Sequence, residues 1–267
     1  MESRVTLTMN RFFMLISCVA IFLAVAPRAK AQDMTHNVDL SSPDFSMAEM
    51  TRADIEKELA SGKKPDLSFK SLNGLDLSGL DLTGINFHAA RLNKTKLAGA
   101  KLSGTNFDQA WGIAADFSGA DLSKASFFAA QMQDANFEGA DLSYARVAGD
   151  FSRAHLSKAK FVKANLSADM KNQSMGLMRV VFRSADLEGA NFSDADLARA
   201  DLQFAKFTGT DFTDANLMGS EAGGADFRGA ILDRTNLTDC DVTSAQIDKA
   251  KISAFAKADH VDRALKE

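Results

Sequence analysis

An apolar residue returns at every fifth position of this chain. In the stretch DANFEGADLSYA, residues 134–145, Phe137 and Leu142 stand five apart, and each has an alanine two positions before it. A helix buries a residue every three or four positions and a half-buried strand every second, so neither gives this period. From Leu72 the centres step through Leu77, Leu82, Phe87, Leu92, Leu97, Leu102 and Phe107. They pass Gly112 and continue from Phe117 to Val147, and one short step then leads to Phe151, Leu156, Phe161 and Leu166. One long step reaches Phe182, and the original phase runs on to Ile252, with the weak centre Ala222 on the way.

Each pentad reads as one short straight side and one corner. The centre and the small residue two before it point the same way, because side chains alternate along an extended chain. That direction is inward. The interior is narrow, so a large inward residue alternates with Ala, Ser, Thr, Gly or Cys. The other three positions face water. Glycine two after the centre, as at Gly99, Gly119 and Gly139, suits a corner with positive φ. Asp or Asn just before the centre can bond nearby backbone. Phe87, Phe107 and Phe127 are twenty apart, as are Phe117 and Phe137, Phe192 and Phe212, and Phe207 and Phe227. Four pentads per turn then make a square section with like residues stacked about 4.8 Å apart. The expected class is an all-β solenoid. A leucine-rich repeat is disfavoured, since its unit is 20–29 residues long and asymmetric.

The units ANFEG, ADLSY, ANFSD and ADLAR resemble the pentapeptide-repeat family, over roughly residues 65–253. The resemblance implies a right-handed quadrilateral β-helix, and the handedness comes from the resemblance alone.

The ends read differently. Arg4 and Arg11 precede an uncharged apolar run over residues 12–26, followed by Pro27 and the small-x-small site Ala29-Lys30-Ala31. This is the pattern of a secretory signal peptide over residues 1–31, with a mature start at Gln32. An uncleaved anchor and a lipobox at Cys18 are the alternatives. Cleavage removes Arg4, Arg11, Arg28 and Lys30 with Glu2, which takes the net charge from −4 to −7. A mildly acidic chain argues against general nucleic-acid binding. Residues 32–64 read as a linker and capping helix, with Ser46 and Glu49 as its capping box, Ile55 and Leu59 on its apolar face, and Gly62 at its end. Leu75, Leu80 and Ile85 replace alanine beneath it. Residues 254–267 read as a second cap that offers Phe255, Val261 and Leu265. Cys240 takes a small inward position and reads as a buried thiol.

The sequence offers no catalytic, cofactor or metal-binding set. His36, His88, His155 and His260 are scattered, and the many aspartates occupy one repeat position. Three irregularities are candidate binding features. Trp111 takes an outward position before Gly112, so it either turns inward to fill the hole or stays exposed as a contact residue. The second is the phase slip after Val147, restored between Leu166 and Phe182, where Met170, Met175 and Met178 fill gaps or offer soft thioethers to Cu(I). The third is a basic belt of Arg146, Arg153, Lys158, Lys160, Lys163, Lys171, Arg179 and Arg183, which suits an anionic envelope protein or an anionic envelope component. The expected function is that of a non-enzymatic, exported binding or scaffold protein of the cell envelope, in the periplasm, with no cofactor. The resemblance also implies an alternative, the DNA mimicry of gyrase-binding members, which the signal peptide opposes.

Overall fold

The computed structural model describes Asp39, residues 41–171 and residues 178–251. The expected signal peptide, the expected C-terminal cap and Met175 lie outside the described residues. Parallel bridges join residues twenty apart, such as Asp76 to Lys96 and Lys96 to Asp116. They fall into four columns, which begin at Asp66, Ser71, Asp76 and Asp81 and are numbered here sides 1 to 4. Each side contributes one bridge per coil. Two segments reach strand length, β1 (Ser126–Gln131) and β2 (Arg146–Asp150), paired in parallel.

One pentad, residues 136–140, shows why the period is five. Asn136 N–H donates to the Ala115 carbonyl of the preceding coil at 2.8 Å, and Phe137 N–H to the His155 carbonyl of the next at 2.6 Å. Gly139 N–H reaches the Ser157 carbonyl at 2.9 Å, and Ala140 N–H closes the corner on the Phe137 carbonyl at 3.0 Å. The fifth donor, Glu138 N–H, is served by Asn136 Oδ1 at 3.0 Å. Every backbone donor has a partner, as a stable backbone demands. The Asp or Asn before each centre is therefore an Asx turn that supplies the fifth acceptor. Away from the corners at Gly149 and Ala168, the residue two after the centre has positive φ whether it is glycine, as at Gly139, or not, as at Tyr144 and Lys158.

The interior is a column of phenylalanines. Phe87 stacks on Phe107 and Phe107 on Phe127, with centroids 5.0 and 4.8 Å apart. Phe117 stacks on Phe137 on the opposite side at 4.7 Å, and Phe107 meets Phe117 edge to face across the core. Beyond Phe151 and Phe182 the stacks resume as Phe161–Phe192–Phe212 and Phe207–Phe227. Phe151 and Phe182 themselves meet at 64°, not in parallel, because the coil between them is irregular.

Both irregularities sit at the corner after side 1, in successive coils. The short coil loses one residue, since Gln131 pairs with Asp150. A Cβ on Gly149 would lie 2.4 Å from the Ala130 carbonyl oxygen, so this corner needs glycine. The next coil gains eleven residues, since Asp150 pairs with Val181. The insertion closes on itself through Asp169 N–H to the Met178 carbonyl at 2.9 Å.

Two short helices precede the coils, α1 (Pro43–Ser46) and α2 (Arg52–Ala60). The capping box of α2 is Thr51 with Asp54, not Ser46 with Glu49. Thr51 directly precedes the helix, whereas Ser46 lies inside α1 and Glu49 pairs with Lys70 at 2.9 Å. Ile55 is fully buried, Leu59, Leu75 and Leu80 pack beside it on the core, and Gly62 follows the helix at φ +73°.

Candidate binding face

Side 2 departs from the repeat chemistry. Its residues before the centres at Leu92 and Gly112 are Arg91 and Trp111, neither of which can make an Asx turn. The fifth donor of each pentad is rescued from the preceding coil. Asn93 N–H donates to Asn73 Oδ1 at 2.9 Å, and Ile113 N–H to Asn93 Oδ1 at 3.0 Å. Asn73 and Asn93 therefore carry amides in register on one face.

Those amides also hold the segment before α2. Asn93 Nδ2 donates to the Phe45 carbonyl at 3.4 Å, and Asn73 Nδ2 to the Met47 carbonyl at 3.5 Å. Ser71 Oγ donates to the same Met47 carbonyl. Ala48 bridges Leu72 in antiparallel fashion, and Glu49 N–H reaches the Ser71 carbonyl at 2.9 Å. The Lys70 ammonium beside Glu49 is the main cause that holds its carboxyl below the usual glutamate range, with the Ser71 backbone helping. Residues 43–49 thus form a strap across the first three coils of side 2.

Trp111 lies under this strap. It stays in the outward ladder between Arg91 and Gln131, half-buried, with its ring 5.2 Å from that of Phe45. It does not turn inward to fill the hole at Gly112. Met132 of the next coil fills it, since a Cβ on Gly112 would lie 2.6 Å from the Met132 sulfur.

The basic residues ring the solenoid. Arg146 is on side 1, Arg183 follows a centre on side 2, and Lys160 is on side 4. Arg153, Lys158 and Lys163 hold positive-φ corner positions after sides 2, 3 and 4. Lys171 and Arg179 belong to the insertion. The structure brings Arg179 and Arg183 together on the buried carboxylate of Asp201, at 3.6 and 2.6 Å, and Arg179 also reaches Glu221 at 3.1 Å. Arg146 pairs with Asp169 at 3.3 Å and lies 4.3 Å over the Phe128 ring. Arg153 pairs with Asp134 and Lys158 with Glu138. These contacts pin the insertion and tie neighbouring coils. They do not gather the eight cations on one side.

Among the described residues no group of three or more His, Cys, Asp or Glu side chains is placed to hold a metal ion. Met170 is exposed and Met178 half-buried. Cys240 is buried against Ser220 Oγ at 3.1 Å, and burial pushes its thiol up to about 11.

The model for pentapeptide repeats matches eight copies, over residues 71–109, 113–143, 177–214 and 215–253, more than half of the chain. The chain belongs to the pentapeptide-repeat family. The gap between residues 143 and 177 brackets the short corner and the insertion, so the family pattern fails where the coil does. Among solved structures, this pentapeptide-repeat chain is similar to HetL, a pentapeptide repeat protein involved in heterocyst differentiation regulation from the cyanobacterium Nostoc sp. The two are 24% identical over 76% of this chain and 95% of that one, with a TM-score of 0.33. QnrB1, a plasmid-mediated fluoroquinolone resistance protein, is 18% identical over 73% of this chain and 94% of that one, with a TM-score of 0.47. A pentapeptide repeat protein from the Arabidopsis thaliana thylakoid lumen is 26% identical over 52% and 72%, with a TM-score of 0.25. No curated protein sequence matches the chain.

The strap was not foreseen from the sequence. Its signal was there: Asn73 and Asn93 follow their centres, and Arg91 and Trp111 replace Asx in the positions that need it.

Proposed function

We propose that this pentapeptide-repeat protein is an exported, non-enzymatic scaffold of the cell envelope, which binds partner proteins on the sides of a right-handed quadrilateral β-helix. The observation that carries the binding role is the seating of residues 43–49 on side 2, where backbone carbonyls are received by Asn73, Asn93 and Ser71. A face that holds a chain segment through its carbonyls has the chemistry for protein recognition. Export rests on the basic, apolar and small-residue pattern of residues 1–31. DNA mimicry needs a continuous acidic face, and the ladders are interrupted by Arg146 on side 1, Lys96 and Lys206 on side 3, and Lys101 and Lys160 on side 4.

The test is cell fractionation with N-terminal sequencing of the mature protein, followed by crosslinking in intact cells from a photoreactive residue at Phe204, an exposed ring on the corner after side 2. A start at Gln32 in the periplasmic fraction and one reproducible crosslinked envelope protein are expected. An intact Met1 in the cytoplasm, with gyrase as the captured protein, would replace this reading with the DNA-mimic one.

A further inference from the structure

Residues 43–49 lie over side 2 and join its ladder at their end, where Ala48 bridges Leu72 and Glu49 N–H reaches the Ser71 carbonyl at 2.9 Å. α1 is a single turn, and its N-cap Ser42 makes no side-chain capping bond. Met47, whose carbonyl is one of the anchors, is 64% exposed. The anchors are those that a separate peptide would use. Two backbone carbonyls accept from side chains on the floor, one ring lies against Trp111, and one surface ion pair joins Glu49 to Lys70. A hollow remains between strap and floor, lined by Phe45, Ser46, Gly74, Asn93, Lys94 and Ile113. Within the coils the N–H groups of Asn93 and Ile113 are served by Asn73 and Asn93 Oδ1, while the Nδ2 groups of the same amides reach the strap.

We infer that residues 43–49 are a tethered ligand, and that the floor of Ser71, Asn73, Asn93 and Trp111 is a docking site for an extended segment of a partner protein that bears an aromatic side chain. The incoming segment replaces the strap carbonyls on Asn73 and Asn93 and lays its own ring on Trp111. The floor reads backbone at two points and one aromatic group at a third, so it selects an extended peptide with an aromatic side chain and not an anionic polymer. This deepens the binding reading and rests on it for the existence of a partner. The docking chemistry itself is measurable on the isolated protein. A short tether presents its ligand at an effective concentration on the order of millimolar. A partner segment therefore binds weakly while the strap is down, and its apparent affinity rises with the open fraction.

Trp111 is the single tryptophan of the chain and reports directly on the site. Full-length protein and its Phe45→Ala variant are compared by Trp emission, acrylamide quenching and thermal melting. The probes are a free peptide of residues 41–50, SSPDFSMAEM, and the same peptide with its Phe changed to Ala. In the unaltered protein, quenching is expected to be low and insensitive to peptide. Phe45→Ala is expected to shift emission to the red and raise quenching several-fold, while the coils still melt cooperatively within a few degrees of the unaltered protein. The native peptide then reverses both effects saturably, with affinity at least about tenfold tighter than for the unaltered protein, and the Phe-less peptide does not. Charge reversal Glu49→Lys, at the other end of the strap, provides a second opened form with the same expected response. Unchanged quenching in both variants, or opened forms that the native peptide never closes, would overturn the inference. So would burial of Trp111 that depends on protein concentration, which would assign the floor to the strap of a second copy. None of these results touches export or capture in cells, so the two readings fail separately.

Discussion

The ring of Phe45 lies 5.2 Å from that of Trp111, although 66 residues separate them in the chain. The strap before α2 thereby reaches the third coil of the solenoid, and an outward aromatic residue of the repeat becomes the floor of an intramolecular contact. The same side carries the amides of Asn73 and Asn93, which serve the ladder with their oxygens and the strap with their nitrogens.

Asn93 ties its own coil to the next coil and to the strap. Asn93→Ala removes the acceptor of Ile113 N–H and the donor to the Phe45 carbonyl together. Net costs of about 1 kcal/mol per hydrogen bond give an expected loss of about 2 kcal/mol by denaturant titration. Asn136→Ala removes the acceptor of Glu138 N–H and a bond from its Nδ2 to Asp116, and both groups can turn to water at the exposed surface. It is expected to cost about 1 kcal/mol or less. Equal losses would contradict the special role of side 2.

Core and surface are expected to separate sharply within one pentad. Phe137 is fully buried in a ring stack, and Glu138 is exposed. Phe137→Ala is expected to cost about 3–5 kcal/mol and Glu138→Ala less than about 0.5 kcal/mol. Comparable values would mean that the five-residue register is misassigned.

Two glycines with different duties test the short corner. Gly139 has positive φ and no atom within 4 Å of an added Cβ, and non-glycine residues such as Asp134 and Tyr144 hold the same conformation in neighbouring pentads. Gly139→Ala is expected to cost about 1 kcal/mol. At Gly149 the added carbon would press on the Ala130 backbone, which cannot move without disturbing β1. Gly149→Ala is expected to cost about 3 kcal/mol, read from thermal or chemical unfolding.

Much of this fold is legible in the sequence, because a solenoid converts separation in sequence directly into a place in space. The twenty-residue spacing of Phe87, Phe107 and Phe127 became a ring stack, and the inward position of Cys240 followed from the alanines at the same place in other pentads. What was not legible depends on contacts between coils. The direction of Trp111 is decided by Met132, on the next coil, which fills the hole first. The capping box went to Thr51 and Asp54 because α2 starts later than the Ser46–Glu49 pair suggests. The basic belt is contiguous in the chain, yet one coil visits four sides in twenty residues. A charge run of that length therefore encircles the solenoid.

Cys240 gives a chemical check on the interior. Burial pushes its thiol up to about 11, so the thiolate is scarce at neutral pH and the sulfur is inaccessible in the folded chain. Alkylation is expected to be slow at pH 8, to quicken as pH approaches 11, and to be fast at pH 8 in denaturant. Equal rates at pH 8 with and without denaturant would place the side chain outside the core.

Acid should lift the strap through Glu49. In the closed form its carboxyl is held below the usual glutamate range, first by the Lys70 ammonium and then by the Ser71 backbone. A folded-state pKa below the free value means that the ion pair stabilises the closed strap fully above the free value. That contribution is lost as pH falls through the lower, closed-state value. Quenching of Trp111 is therefore expected to rise on acidification below the ordinary glutamate range. Glu49→Gln is expected to show part of that rise already at neutral pH and a flatter acid response. Asp66, Asp76 and Asp81 titrate in the same direction, each held low chiefly by the hydroxyl of the Ser or Thr two residues on, and they belong to the coils. Far-ultraviolet circular dichroism recorded over the same series separates loss of the coils from release of the strap. Superimposable quenching curves for the unaltered protein and Glu49→Gln, with the coils intact, would show that the Glu49–Lys70 pair does not hold residues 43–49 in place.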